Sequence, residues 1–189
     1  MIIGVLAVQG SFEEHAQVLK GLVEEVRLVR AVKDLHGLQG LVIPGGESTT
    51  IGRFLDSGLR GGISDGLPLF GTCAGLIVLA KGIAGGAKEG QPLLKRMDIE
   101  VERNAYGRQR ESFEDEVRLT WDERPFRGVF IRAPRIVSHG PDVDVLGVQG
   151  DEPVLVRQGV NLACTFHPEL VDDERLHRYF IEEVVKDDE

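Results

Sequence analysis

Cys73 lies between two glycines in Gly71-Thr72-Cys73-Ala74-Gly75, and this pentapeptide interrupts an apolar run, LFGTCAGLIVLA over residues 69–80. A strand that simply ended here would be followed by polar turn residues. With a strand over Leu67–Gly71 and a helix over Ala74–Lys81, the cysteine falls on the tight turn that joins them. Strand, sharp turn and helix with small residues on both sides make the geometry of a nucleophile elbow. The turn lifts the sulfur to the carboxyl end of the sheet, where open α/β folds place their sites. A helix N-terminus beneath it favours thiolate over thiol. A structural cysteine buried beside a glycine-rich turn is the rival reading.

A thiol nucleophile needs a proton acceptor, and that acceptor needs an orienting group. Thr165-Phe166-His167-Pro168-Glu169 offers both. In an extended segment His167 and Glu169 share one face, so the carboxylate can hold the imidazole in its useful tautomer. By the same parity Cys164 points to the opposite face and reads as core packing. His15, His36, His139 and His177 have no such context. A third feature is Pro44-Gly45-Gly46-Glu47-Ser48-Thr49-Thr50. Its paired glycines at a strand end let backbone N–H groups of Gly45 and Gly46 turn toward the cysteine. Together with the amide of Ala74 they would form an oxyanion hole. Glycine's freedom also lets the peptide between Gly45 and Gly46 rotate, which would gate the hole. A phosphate loop is the alternative, but the G-x-x-x-x-G-K-[ST] pattern is missing. A plain turn is the bland one.

These groups need a scaffold that brings distant strand ends together. Ile2–Val8 is continuously apolar, as in a strand buried on both faces, and Ser11 with Glu14 spells a capping box for a helix over Ser11–Leu22. Val26–Val29 and Gly40–Ile43 are further strands, and a helix starts at Ser48 and runs to Leu55. Gly58–Gly66 reads as a glycine-rich turn. Alternating strands and helices predict a parallel α/β sheet with right-handed crossovers. Residues 82–92 read as a flexible connection. Asp98–Arg103, Val129–Arg132, Val143–Val148, Val154–Arg157 and Asn161–Phe166 read as mostly antiparallel additions. Asp173–Lys186 is an amphipathic helix with Leu176, Phe180 and Val184 on one face. No repeat or linker divides the 189 residues, so the expectation is a single domain over 1–189.

The net charge of −9 argues against nucleic acid or an anionic membrane as the main partner. Two cysteines make no disulfide framework, and no run approaches the length of a membrane span. The N-terminus lacks the basic flank of a signal peptide. A cytoplasmic location is expected, with no metal, because no Cys/His cluster has ligand spacing.

Taken together, GVLAVQG, LVIPGGESTTIGRFL, FGTCAGLIVLAKGIA, VERNAYGRQRESFE, GVFIRAP and FHPELVDDERLHRYF resemble the class I, triad-type glutamine amidotransferases. More narrowly they resemble the glutaminase subunits of two-component pyridoxal 5′-phosphate synthases. P-G-G-E-S-T-T and E-R-N-A-Y-G-R-Q carry that narrower likeness; G-T-C-A-G is shared more widely. The resemblance implies a flavodoxin-like fold and a Cys73, His167, Glu169 triad that hydrolyses L-glutamine to glutamate and ammonia. It places glutamine against Gly46, Glu47, Ser48, Arg103, Ile131 and Arg132. It also implies a hetero-oligomer with a synthase subunit that receives the ammonia, so pyridoxal phosphate is a product of the complex and this chain needs no cofactor. Between Thr50 and Leu67 the chain is shorter and richer in glycine than such sequences usually are. The alternatives are another cysteine hydrolase on the same fold, or a catalytically silent scaffold subunit; the intact Cys73, His167 and Glu169 weigh against the second.

Overall fold

The computed structural model describes residues 1–86, 91–105 and 112–186. Strands β1 (Ile2–Leu6), β2 (Glu25–Val29), β3 (Gly40–Ile43) and β4 (Leu69–Thr72) form the parallel part of a nine-stranded sheet. Helices α1 (Phe12–Leu19), α2 (Ser48–Phe54) and α3 (Ala74–Leu79) punctuate them. After α3 come β5 (Ala80–Ile83), β6 (Met97–Glu102), β7 (Ser112–Leu119), β8 (Phe126–Ile131), β9 (Arg135–His139), β10 (Asp144–Gln149), β11 (Glu152–Gln158) and β12 (Asn161–Cys164). Helix α4 (Arg175–Tyr179) closes the chain and continues as a wider π turn over Phe180–Val185.

The large sheet runs β2-β1-β3-β4-β12-β11-β10-β7-β8. β12 lies parallel to β4, so the five strands from β2 to β12 are the parallel core and the rest is an antiparallel extension. The order of those five is the flavodoxin-like arrangement, in which sites form beyond the carboxyl ends of the strands. A second sheet, β5-β6-β9, stands apart.

The pleat sorts alternate residues into two apolar cores. Leu41, Ile43, Leu69 and Ala163 face α2, α3 and the small sheet. Val42, Phe70, Leu162 and Cys164 face α1 and the C-terminal helix, where Leu176, Phe180 and Val184 are fully buried. These are the three residues that the sequence puts on one helical face. The parity argument for Cys164 holds as well: its side chain is fully buried in the core cluster that also holds Phe166 and Phe180.

Several boundaries differ from the sequence reading. α3 stops at Leu79, not Lys81, and Ala80–Ile83 becomes a strand paired with β6, taking the last two residues of the expected helix and the first two of the expected flexible connection. α3 is buried on all sides, so periodicity carries no sign of where helix ends. Ser11 does not cap α1, because its backbone is not in a capping conformation and its hydroxyl is engaged elsewhere. Around Gly58, whose φ of 144° breaks the helix, Leu55–Leu59 and Arg60–Gly62 form short π and 3₁₀ turns instead of an open turn. β7 and β9 have no counterpart in the sequence reading; β7 keeps only Val117 and Leu119 buried among charged neighbours. Residues 87–90 of the connection and 106–111, which include the end of the E-R-N-A-Y-G-R-Q stretch, lie outside the described residues. Among the described residues no helix is long and apolar enough to cross a membrane.

Candidate active site

The cleft of about 540 Å³ that holds Cys73 lies beyond the carboxyl ends of β1, β3, β4 and β12. Four sequence-distant turns meet there: Gln9-Gly10-Ser11, Gly45 to Ser48, Cys73-Ala74 and His167. Arg103, Asn104, Ile131 and Arg132 close the opposite wall.

Cys73 sits at the elbow that the sequence predicts, with φ 50° and ψ −103°, a backbone that costs about 1–3 kcal/mol for a residue with a Cβ. Its amide donates to the Cys164 carbonyl (2.9 Å), which occupies that N–H. The next free amides are those of the first turn of α3, because the first intrahelical bond runs from Ile77 N–H to the Cys73 carbonyl (3.3 Å). Ala74 is therefore in place to offer its N–H to the cleft. Packing demands glycine on both sides. A Cβ on Gly75 would stand 1.9 Å from the Ile43 carbonyl oxygen, and one on Gly71 would stand 2.7 Å from the carbonyl carbon of Gly75. The thiol points at the Ile131 carbonyl (3.8 Å) and is 7% exposed.

His167 Nδ1 hydrogen-bonds Glu169 Oε1 (2.7 Å), and the ring shares the cleft with the Cys73 thiol, close enough for the two to interact. Burial works against a charge on the ring, but the Cys73 and Glu169 contacts outweigh it and raise its pKa from 6.5 to about 10. Glu169 lies behind the ring and is buried. Burial would raise its pKa; the interaction with His15, then the hydrogen bonds from His167 and Ser11, outweigh that and hold it at about 2. The imidazole lies across the glycine loop, where a Cβ on Gly45 would stand 2.4 Å from its Cε1. Gly46 adopts φ 143°, a conformation open to glycine. No group of His, Cys, Asp and Glu that could hold a metal is found among the described residues.

The polar wall is organised by Glu47. Its carboxylate caps α2 by accepting from Thr49 N–H (3.1 Å) and Thr50 N–H (2.7 Å). Partial burial would raise its pKa, and those amides overcome it to hold the group at about 2. Glu47 also pairs with Arg103 (3.3 Å). Arg103 donates to Gln91 Oε1 (3.1 Å), which also accepts from Ser48 Oγ (2.9 Å) and Thr49 Oγ1 (3.0 Å). Arg132 is exposed, on strained backbone at φ 43°.

Every residue named as a site candidate from sequence thus lies in this cleft, except Glu169, which stands behind His167. Cys164 lies in the core, where burial pushes its thiol pKa well up. The sequence reading misses Ser11, which donates to Glu169 Oε1; Gln91; and His15, which lies 3.2 Å from Glu169 Oε2. Ser11 was detectable in principle, since it follows β1 at the end of the sheet that carries the cleft. Gln91 gives no local signal within GQP.

The sequence matches the SNO glutamine amidotransferase family over residues 5–186. It is 54% identical over 187 residues to the pyridoxal 5′-phosphate synthase subunit PdxT of Thermus thermophilus, with 96% of each chain covered. The protein of the same name from Thermotoga maritima is 52% identical over 190 residues, covering 97% of this chain and all of the relative. A solved structure titled as a glutamine amidotransferase superposes with a TM-score of 0.91 at 49% identity, covering 98% of this chain and 100% of that one.

Proposed function

The chain belongs to the SNO glutamine amidotransferase family, and on that premise we propose that its Cys73 cleft hydrolyses the side-chain amide of L-glutamine and passes the ammonia to a separate synthase subunit for pyridoxal 5′-phosphate formation. The observation that carries this reading is the line Cys73–His167–Glu169 at the mouth of a glycine-walled cleft. A histidine held between a sulfur and a buried carboxylate is suited to shuttling one proton between nucleophile and leaving group.

In the proposed reaction Cys73 attacks as a thiolate, its proton held by His167. The Sγ–Cδ bond forms, and the carbonyl electron pair moves onto oxygen, where the Ala74 amide and the Gly45-Gly46 backbone serve as donors. Collapse breaks the C–N bond as His167 gives its proton to nitrogen, and ammonia leaves. His167 then takes a proton from water, the water oxygen bonds to Cδ, and the Cδ–S bond breaks to release glutamate. Arg103, preset by Gln91 and Glu47, is placed to pair with the substrate α-carboxylate, and Glu47 with its α-ammonium. Ser48, Ile131 and Arg132 line the same cleft, and in this reading they complete the glutamine pocket.

The test is ammonia release from glutamine by the chain mixed with a synthase subunit. Turnover is expected for the parent protein and none for a folded Cys73→Ala variant. Retained turnover in that variant would sink the assignment. A catalytically silent scaffold predicts no turnover in either, and a different cysteine hydrolase predicts Cys73-dependent cleavage of other amides or esters but not of glutamine.

A further inference from the structure

Behind the triad two fully buried histidines, His15 and His177, form a polar chain that the proposed reaction does not use. His15 Nδ1 and His177 Nε2 are 2.8 Å apart. His15 Nε2 lies 3.1 Å from Thr72 Oγ1 and 3.2 Å from Glu169 Oε2. Among the described residues neither His177 Nδ1 nor Glu169 Oε2 has a hydrogen-bond partner, and His15 Nε2 stands 3.2 Å from that bare carboxylate oxygen.

Two neutral tautomer patterns fit the His15–His177 bond. In the first, His177 Nε2–H donates to His15 Nδ1, and His15 Nε2–H turns toward Thr72 and Glu169. The unpartnered His177 Nδ1 is then a bare lone pair. In the second, His15 Nδ1–H donates to His177 Nε2, and the orphan at His177 is a buried N–H. The lone pair of His15 Nε2 then faces a carboxylate oxygen. An orphaned buried donor costs about 1–3 kcal/mol, and a lone pair set against a carboxylate adds repulsion. Both count against the second pattern. Burial lowers the pKa of both rings, that of His177 to about 3 with the neighbouring His15 as the next cause, so neither carries a second proton near neutrality. The other charged groups acting on His15 are Glu169 and Glu14, which raise its pKa, and His167, which lowers it.

We propose that His15 is a positioning residue of the glutaminase, held by His177 as the Nε2–H tautomer so that it fixes the second oxygen of Glu169 behind the catalytic imidazole. In that arrangement the donors run one way: His177 to His15, His15 across 3.2 Å toward the otherwise bare Glu169 Oε2, and His167 with Ser11 to Glu169 Oε1. A donor at each carboxylate oxygen resists rotation of Glu169 and of the ring that it orients.

This inference rests on the triad reading, and its first test does not need activity. In the full chain labelled with ¹⁵N-histidine, His15 is expected to show a protonated Nε2 and an unprotonated Nδ1 from about pH 6 to 8. The reverse pattern overturns the proposal whatever the enzyme does. The second test is kinetic, with the synthase present and rates normalised to sites titrated by a glutamine-analogue alkylating label. Partners that orient a metal-bound histidine or carboxylate are worth about 10–100-fold, and an effect of that size is expected for one that orients this triad. His15→Ala is therefore expected to lower kcat by about that factor and leave KM nearly unchanged, since His15 is fully buried and no wall of the cleft. His15→Gln, whose amide N–H reaches where Nε2 stood, should restore most of the loss. An unchanged kcat in His15→Ala overturns the proposal, as does a glutamine variant no better than alanine. If instead Cys73→Ala keeps full glutaminase activity, the triad reading fails, while the tautomer measurement still decides how His15 is held.

Discussion

Gly45→Ala tests how tightly the loop after β3 constrains the catalytic ring. The backbone at Gly45 has no positive φ, so alanine meets no conformational penalty there. The problem is contact: the new Cβ would stand 2.4 Å from His167 Cε1, 3.2 Å from Nδ1 and 3.3 Å from Nε2. Ordinary contact begins near 3.4 Å, so ring and loop must separate by about 1 Å. The ring has little room to yield, because Nδ1 is tied to Glu169 at 2.7 Å. A 1 Å misplacement of a reacting group costs about 10²-fold, equivalent to roughly 2.7 kcal/mol of barrier. Expected, then, is a kcat about a hundredfold lower in ammonia-release assays with the synthase present. Gly61→Ala is the control, since nothing lies within 4 Å of its Cβ position and its φ is not positive; it should match the parent. A Gly45→Ala enzyme within threefold of the parent, with an unchanged melting temperature, would show that the ring is not held as described.

Three further expectations follow from the same geometry. Cys164→Ala removes a core side chain but no cleft group, so turnover per folded molecule should persist while stability falls by about 1–3 kcal/mol, read by denaturant unfolding. Arg103→Ala should raise KM for glutamine by about 10–100-fold with a smaller change in kcat, as expected for the loss of a charge-assisted hydrogen bond worth about 1.5–3 kcal/mol. Stability should also report on the buried His167–Glu169 pair. Glu169 has its folded pKa lowered from 4.5 to about 2, so its contribution is present above pH 4.5 and is lost as pH falls toward 2. His167 has its folded pKa raised from 6.5 to about 10, so its contribution is complete below pH 6.5 and is lost as pH rises through 10. The unfolding free energy of the parent should therefore fall on both sides of that window more steeply than that of Glu169→Gln, and parallel profiles would count against the pair.

The parallel core is legible in the sequence because its strands are buried on both faces and end in loops whose residue types are chemically constrained. GGES and GTCAG mark the ends of β3 and β4 without any knowledge of the fold. His167 and Glu169 are legible through spacing, although the chain at Pro168–Leu170 is a 3₁₀ turn and not an extended strand. The two still meet, because in this turn Nδ1 lies 2.7 Å from the carboxylate two residues on. What stays hidden is whatever depends on a distant partner. β7 has only two buried side chains and is set by its pairing with β8 and β10. β5 follows α3 in one apolar run, and only β6, far along the chain, decides where helix becomes strand. Ser11 has the residue type and spacing of a helix cap, and its tertiary bond to Glu169 overrides that local preference. His15 and His177 read as isolated histidines because 162 residues separate partners that touch at 2.8 Å.

The two cysteines show why side-chain parity and backbone placement must be read separately. Parity sends the Cys164 thiol into the core, away from the cleft, and the structure agrees. Its backbone nonetheless belongs to the frame of the site: Cys164 pairs in register with Thr72, and its carbonyl accepts the amide of Cys73. That hydrogen bond fixes one end of a residue in an unfavourable conformation. The other end is fixed by α3, every residue of which is buried, and which approaches β3 closely enough that Gly75 has no room for a Cβ. The strain at the elbow, about 1–3 kcal/mol, is small beside the burial of six consecutive helix residues at about 25 cal/mol per Å² of apolar surface. Relaxing Cys73 would require α3 to lift from the sheet. The sulfur is therefore held in place by the packing of residues that never touch substrate, which is why an apolar run resumes immediately after the thiol.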